Sequence, residues 1–112
     1  MPKPANRPSS RCARDAVILL GQLVRRGRIE YRLTVEQLAE RAGLSRGLAQ
    51  RIEKGDPGCS IGAVFEAAAI VGVPLFDADQ AKLADSLSIN NAILTLLPKT
   101  VHMPRKTVKD DF

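Results

Sequence analysis

Aromatic side chains are scarce in this chain. Of its 112 residues none is Trp, one is Tyr and three are Phe. A core must therefore be assembled from Ala, Val, Ile and Leu, the composition of a small helical bundle. Cysteine is nearly as rare. Cys12 and Cys59 stand far apart, with no second Cys or His at ligand spacing, and read as two reduced thiols in a reducing compartment. The lone histidine, His102, sits in a polar tail and cannot by itself form a metal site or a catalytic pair. No metal site and no cofactor are expected. No apolar run reaches the ~18 residues that a transmembrane helix needs. The apolar stretch 13–24 follows Arg11 and Arg14 like a signal peptide, but it lacks a small-x-small cleavage site and runs straight into Arg25, Arg26 and Arg28. That reading is rejected, and a cytoplasmic address is expected. Catalytic constellations are missing too: there is no His pair, no acidic pair in an apolar setting and no glycine-rich phosphate loop after a strand. The chain does not read as an enzyme.

What is present is enough apolar material for one compact domain, 45% of residues, and an uneven charge. The net charge is +5. Residues 1–33 carry eight basic side chains against Asp15 and Glu30, a net of +6. Residues 34–98 have a net of −3, and residues 99–112 a net of +2. Such asymmetry points to a polyanionic partner, though a basic surface alone does not specify one. A membrane surface is a poor candidate, because the basic arm lacks the bulky apolar residues of an interfacial anchor.

The chain divides into a flexible basic arm at 1–11, a helical domain at 12–97 and a C-terminal tail at 98–112. Three prolines and three basic residues mark the arm. The spacing of Ala16, Val17, Leu20, Leu23, Val24 and Gly27 predicts a first helix over 13–31 with one buried stripe. Thr34 followed by Gln37 is a capping box that opens a second helix, with Leu38, Ala39 and Ala42 on its buried face. Gly43 ends it, Leu44 plugs the corner, and Ser45 caps a third helix through Lys54. After the turn at 55–58, Ser60 caps a fourth helix over 61–71, with Val64, Phe65 and Ala68 facing inward. Gly72 and Pro74 close it. Asp77 or Asp79 starts a fifth helix to about 97, carrying Leu83, Leu87, Leu94 and Leu97 at helical spacing, and Pro98 breaks it. Residues 100–108 alone alternate enough to pair as a short strand.

Two short helices joined through Ala42-Gly43-Leu44 require Ala39 to be small where they cross. Residues 34–55, T-V-E-Q-L-A-E-R-A-G-L-S-R-G-L-A-Q-R-I-E-K-G, resemble the Xre/Cro family of helix-turn-helix regulators throughout. The matching positions are Leu33-Thr34, Gln37-Leu38-Ala39, Gly43, Ser45 and Arg51-Ile52-Glu53-Lys54-Gly55. With flanking helices the resemblance covers about residues 20–76. It implies an all-α, five-helix, lambda-repressor-like DNA-binding domain whose third helix enters the major groove. By position, Arg46, Gly47, Gln50 and Arg51 would face the bases, each arginine able to offer a bidentate donor pair to guanine. Gln50 would pair with adenine or a phosphate, and Leu48 would touch a thymine methyl or simply pack. Thr34, Ser45, Lys54 and Ser60 would hold phosphates, partly through helix N-terminal amides. Val35 departs from the family pattern, which places a phosphate-binding Gln there. The resemblance also implies an ion pair between Arg28 and Glu53, the alternative for Arg28 being a phosphate contact.

A narrower resemblance lies in R-I-E-K-G-D-P-G at 51–58, V-F-E-A-A at 64–68, V-G-V-P-L-F-D-A-D at 71–79 and the ending L-L-P-K…K-D-D-F. This is similar to HipB-like antitoxins, which bind a HipA-type kinase toxin and repress their own operon. The implied partners are a pseudo-palindromic double-stranded DNA operator, a second copy in a homodimer, and the kinase. The alternative is a stand-alone Xre-type repressor with no toxin partner. Leu83, Leu87, Ile93 and Leu94 exceed what a four-helix core can cover and are expected at the dimer or partner contact, unless they close the protomer's own core. Phe112, after two aspartates, reads as an anchor for a partner, against the alternative of two solubilising ends.

Overall fold

The computed structural model describes residues 10–101. Five helices follow one another: α1 (Arg11–Glu30), α2 (Val35–Ala42), α3 (Arg46–Glu53), α4 (Ile61–Ile70) and α5 (Gln80–Leu96). There is no strand among the described residues, so the fold is all-α as the composition implied. Two units can be distinguished, one up to Asp77 and one from Ala78.

Each helix begins where a short polar side chain can accept an otherwise unpaired amide. Ser10, Thr34, Ser45, Ser60 and Asp79 each accept from the backbone N–H three residues on. Ser10 starts α1 two residues earlier than the apolar spacing alone suggested. Of the two aspartates considered for α5, Asp79 is the cap; Asp77 lies in a turn with Phe76, both at positive φ. At the α2 terminus Gly43 is left-handed, with φ 71°, and the Leu44 amide donates to the Ala39 carbonyl at 2.8 Å. That pairing reverses the chain tightly enough for α3 to pack on α2.

In the first unit α1 and α2 both pack on α3 and on α4. The core between them is Val24, Leu33, Leu38, Ile52, Ala67, Ala68 and Val71, with Ala39 and Ala49 also buried. Four of these nine are alanines, and glycines stand where backbones cross closely. A methyl group at Gly21 would collide with the Ile52 carbonyl, and one at Gly27 would lie 2.9 Å from Val71 Cγ2.

Several sequence expectations need adjusting. Ala16 is exposed: it borders an open apolar cleft of about 290 Å³ with Val17, Leu20, Pro57, Ile61 and Phe65, not the closed core. Val64 and Phe65 are half-buried, and the deep positions on α4 belong to Ala67 and Ala68, whose size suits the crossing. No α5 residue is buried. Leu83 is half-buried while Leu87, Ile93 and Leu94 are exposed, and the apolar side chains are spread around the helix instead of forming one stripe. The possible strand at 100–108 falls mostly outside the described residues, as do His102 and Phe112; Thr100 and Val101 carry no regular structure.

Candidate nucleic-acid interface

The α3 helix is eight residues long and has two sides. Ala49 and Ile52 are buried and Leu48 is half-buried against the core. Arg46, Gly47, Gln50 and Arg51 are exposed, and so is Lys54 at the C-cap. Successive offsets of one, three and one residues keep the first four on one face of a helix with 3.6 residues per turn. Leu48 thus takes the packing alternative. Nothing lies within 4 Å of where a Gly47 side chain would start, so the protein's own packing does not demand glycine there.

This exposed row is held in orientation from behind. Arg28 on α1 donates from Nε to Glu53 Oε2 at 2.6 Å and from Nη2 to Glu53 Oε1 at 3.1 Å. Its third donor, Nη1, reaches the Leu33 carbonyl at 2.8 Å. The side chains are only 13% and 7% exposed, so this is a mostly buried pair in which each of the three guanidinium nitrogens has a partner. One guanidinium therefore ties α1, the segment that leads into α2, and the end of α3. A phosphate would have to displace Glu53 to use it, so the geometry favours the ion pair over the phosphate contact.

Thr34, Ser45 and Ser60 all act as N-caps. Thr34 Oγ1 accepts the Gln37 amide at 3.0 Å while Gln37 Oε1 accepts the Thr34 amide at 2.8 Å, completing the capping box. Ser45 Oγ accepts from Leu48 at 3.1 Å and Ser60 Oγ from Ala63 at 3.3 Å. Capping takes up the third amide of each helix and leaves the first two directed outward, where the helix dipole favours an anion.

Two acidic residues accompany the arginines of α3, and the sequence reading did not find them. Arg46 Nη1 lies 3.5 Å from Glu36 Oε2, with side chains 62% and 71% exposed. Arg51 Nε lies 3.2 Å from Asp56 Oδ2, with side chains 54% and 40% exposed. Exposed pairs of this kind are worth about 0–1 kcal/mol. The Arg51–Asp56 spacing of five residues across a helix end was visible in sequence; the Arg46–Glu36 approach depends on the turn between α2 and α3.

A family model described as a helix-turn-helix domain matches residues 19–83, more than half of the chain. The chain belongs to the helix-turn-helix domain family. The match runs from within α1 into α5, and so takes in the α2–turn–α3 unit and the helices that brace it. It supports an Xre-like regulator that binds DNA. No curated protein and no solved structure matched the chain. In this helix-turn-helix domain α3 is the second helix of the motif, the one that the motif's docking geometry sends into the major groove. No described helix is long and apolar enough to cross a membrane, and no group of His, Cys, Asp and Glu among the described residues has the geometry to hold a metal ion.

Proposed function

We propose that this helix-turn-helix protein is a sequence-specific transcriptional repressor that binds a pseudo-palindromic operator as a homodimer. The observation that carries the reading is the exposed row on α3, Arg46, Gly47, Gln50, Arg51 and Lys54, on a helix whose other side is anchored in the core. In this reading Arg46 and Arg51 present paired donors to guanine, Gln50 reads a neighbouring base, and Gly47 permits close approach. Thr34, Ser45, Lys54 and Ser60 hold phosphates and fix the register.

The dimer is proposed on α5. A 17-residue helix with no buried side chain lacks the tertiary packing from which most helical stability in proteins comes. Its single Lys82 and single Asp85 leave it neutral, so a second copy meets no charge repulsion. Leu87, Ile93 and Leu94 are among its exposed apolar residues, and Leu83 is half-buried. The α3 helices of such a dimer would sit about 34 Å apart, one turn of B-DNA.

The finer reading is a HipB-like antitoxin that represses its own operon in the cytoplasm, with a HipA-type kinase as partner and with residues 99–112, Phe112 included, contributing to that contact. It rests on the resemblance at 51–58, 64–68 and 71–79. Selection of binding sites from a randomised duplex pool, with salt titration on the selected site, tests the DNA reading. A steep salt slope together with a preferred half-site repeated in inverted orientation is the expected result; equal affinity for all sequences would refute it. Copurification from the native operon tests the partner. Recovery of a kinase is expected, and recovery of the protein alone would leave it a stand-alone repressor.

A further inference from the structure

We propose that Asp56 is a positioning residue for base recognition: it fixes the Arg51 guanidinium so that the edge formed by its two terminal nitrogens faces the groove. The proposal deepens the DNA reading above and rests on Arg51 being a base-reading side chain.

The geometry that carries it is a carboxylate held at two points and aimed at a third. Asp56 Oδ1 accepts the Gly58 amide at 2.8 Å, and the Asp56 amide donates to the Arg51 carbonyl at 3.0 Å. Gly55 just before it is left-handed, and its amide donates to the Ile52 carbonyl at 3.0 Å, so the whole turn is anchored to the end of α3. The remaining oxygen, Oδ2, accepts Arg51 Nε at 3.2 Å.

Which nitrogen is used matters. A guanidinium has five N–H donors in one plane, and guanine offers two acceptors, O6 and N7, that match a pair of them. With Nε engaged by Asp56, Nη1 and Nη2 remain as a two-donor edge. Arg46 differs: its contact to Glu36 uses Nη1, one of the terminal pair, at 3.5 Å between two largely exposed side chains. Arg46 must leave its acid to present the same edge, whereas Arg51 can keep its acid and still read a base. Fixing a long side chain before binding lowers the ordering cost and penalises poses that suit other bases.

A carboxylate so close to the interface also has a cost, since it repels phosphates whatever the sequence. Asp56 should therefore lower binding to random DNA while sharpening choice at one base pair. A residue that only maintained the fold would move both the same way.

The test uses the full chain as wild type, Asp56→Asn, Arg51→Ala and the double variant, each selected on a randomised duplex pool and melted. Asparagine retains an oxygen for the Gly58 amide and turns its NH2, a donor, toward Arg51 Nε, which needs an acceptor. Arg51→Ala is expected to flatten preference at a single base pair, a loss of roughly 5- to 150-fold for a bidentate contact. Asp56→Asn is expected to reduce preference at that same pair about two- to fivefold, the scale of an exposed ion pair. Its preference elsewhere should be retained, binding to the unselected pool should be equal or stronger, and the Tm should be unchanged. In the Arg51→Ala background Asp56→Asn should change nothing further at that pair. If Arg51→Ala flattens one position while Asp56→Asn keeps full preference there, the role of Asp56 is refuted and the reading of Arg51 stands. If Asp56→Asn lowers preference at every position together with Tm, its role is structural and the proposal is equally refuted. If Arg51→Ala flattens no position, both fall.

Discussion

Arg28 and Glu53 lie 25 residues apart in sequence and meet through two parallel hydrogen bonds, of 2.6 and 3.1 Å, at the back of the helix that faces outward through Arg46 and Arg51. The pair is mostly buried, and the third Arg28 contact, to the Leu33 carbonyl, leaves little room for rearrangement. Removing one member leaves the other charge without compensation. Arg28→Ala or Glu53→Ala is expected to cost roughly 3–5 kcal/mol, read by denaturant unfolding. Replacing both together by apolar residues of similar volume is expected to recover most of that loss. Equal cost for the double and single variants would show that the loss does not come from an uncompensated buried charge.

Gly21 and Gly47 make opposite demands. A methyl at Gly21 meets backbone atoms of Ile52, Glu53 and Gly55, none of which can swing aside, so Gly21→Ala is expected to destabilise by roughly 1–3 kcal/mol. At Gly47 the space is open, and alanine there should stabilise the helix by up to about 1 kcal/mol. The same Gly47→Ala change is expected to weaken DNA binding, because the added methyl stands on the exposed face. A thermal melt beside a duplex titration separates the two; a Gly47→Ala protein with higher Tm and unchanged DNA affinity would remove Gly47 from the interface.

The basic residues of α3 should fall into two groups. Arg46→Ala and Arg51→Ala are each expected to cost roughly 1–3 kcal/mol on the selected site and to relax preference at one base pair. Lys54→Ala is expected to weaken all sequences alike and to reduce the salt slope by about one unit. Titrations at several salt concentrations on selected and random duplexes check both. Equal losses for the arginine variants on random DNA would reassign them to the backbone.

On α5, Leu87→Asp and Leu94→Asp place charge on exposed apolar positions. Sedimentation of the wild type at micromolar concentration is expected to show a dimer, and the double variant a monomer that retains the helices of the first unit. A monomeric wild type would place the second-copy contact elsewhere.

The starts of the three middle helices were legible in sequence because capping is local: Thr34 with Gln37, Ser45 and Ser60 each act within three residues, whereas Ser10 was not foreseen and Asp79 was one of two candidates. Gly43 was legible for the same reason, since a left-handed residue after a helix is a local requirement. The exposed row on α3 followed from resemblance together with helical periodicity. Gly21 was missed although it lies on the stripe of Val17 and Val24, because what demands a glycine there is the close approach of the backbone of Ile52, Glu53 and Gly55, distant in sequence. Only the tertiary structure decided what lies opposite each face. It brought Glu36 to Arg46 across the turn, put Ala67 instead of Phe65 in the deep position on α4, and left α5 without a buried residue. The physical reason is range: a cap is completed by neighbours in the chain, whereas burial and ion pairing depend on groups that only the packed helices bring together.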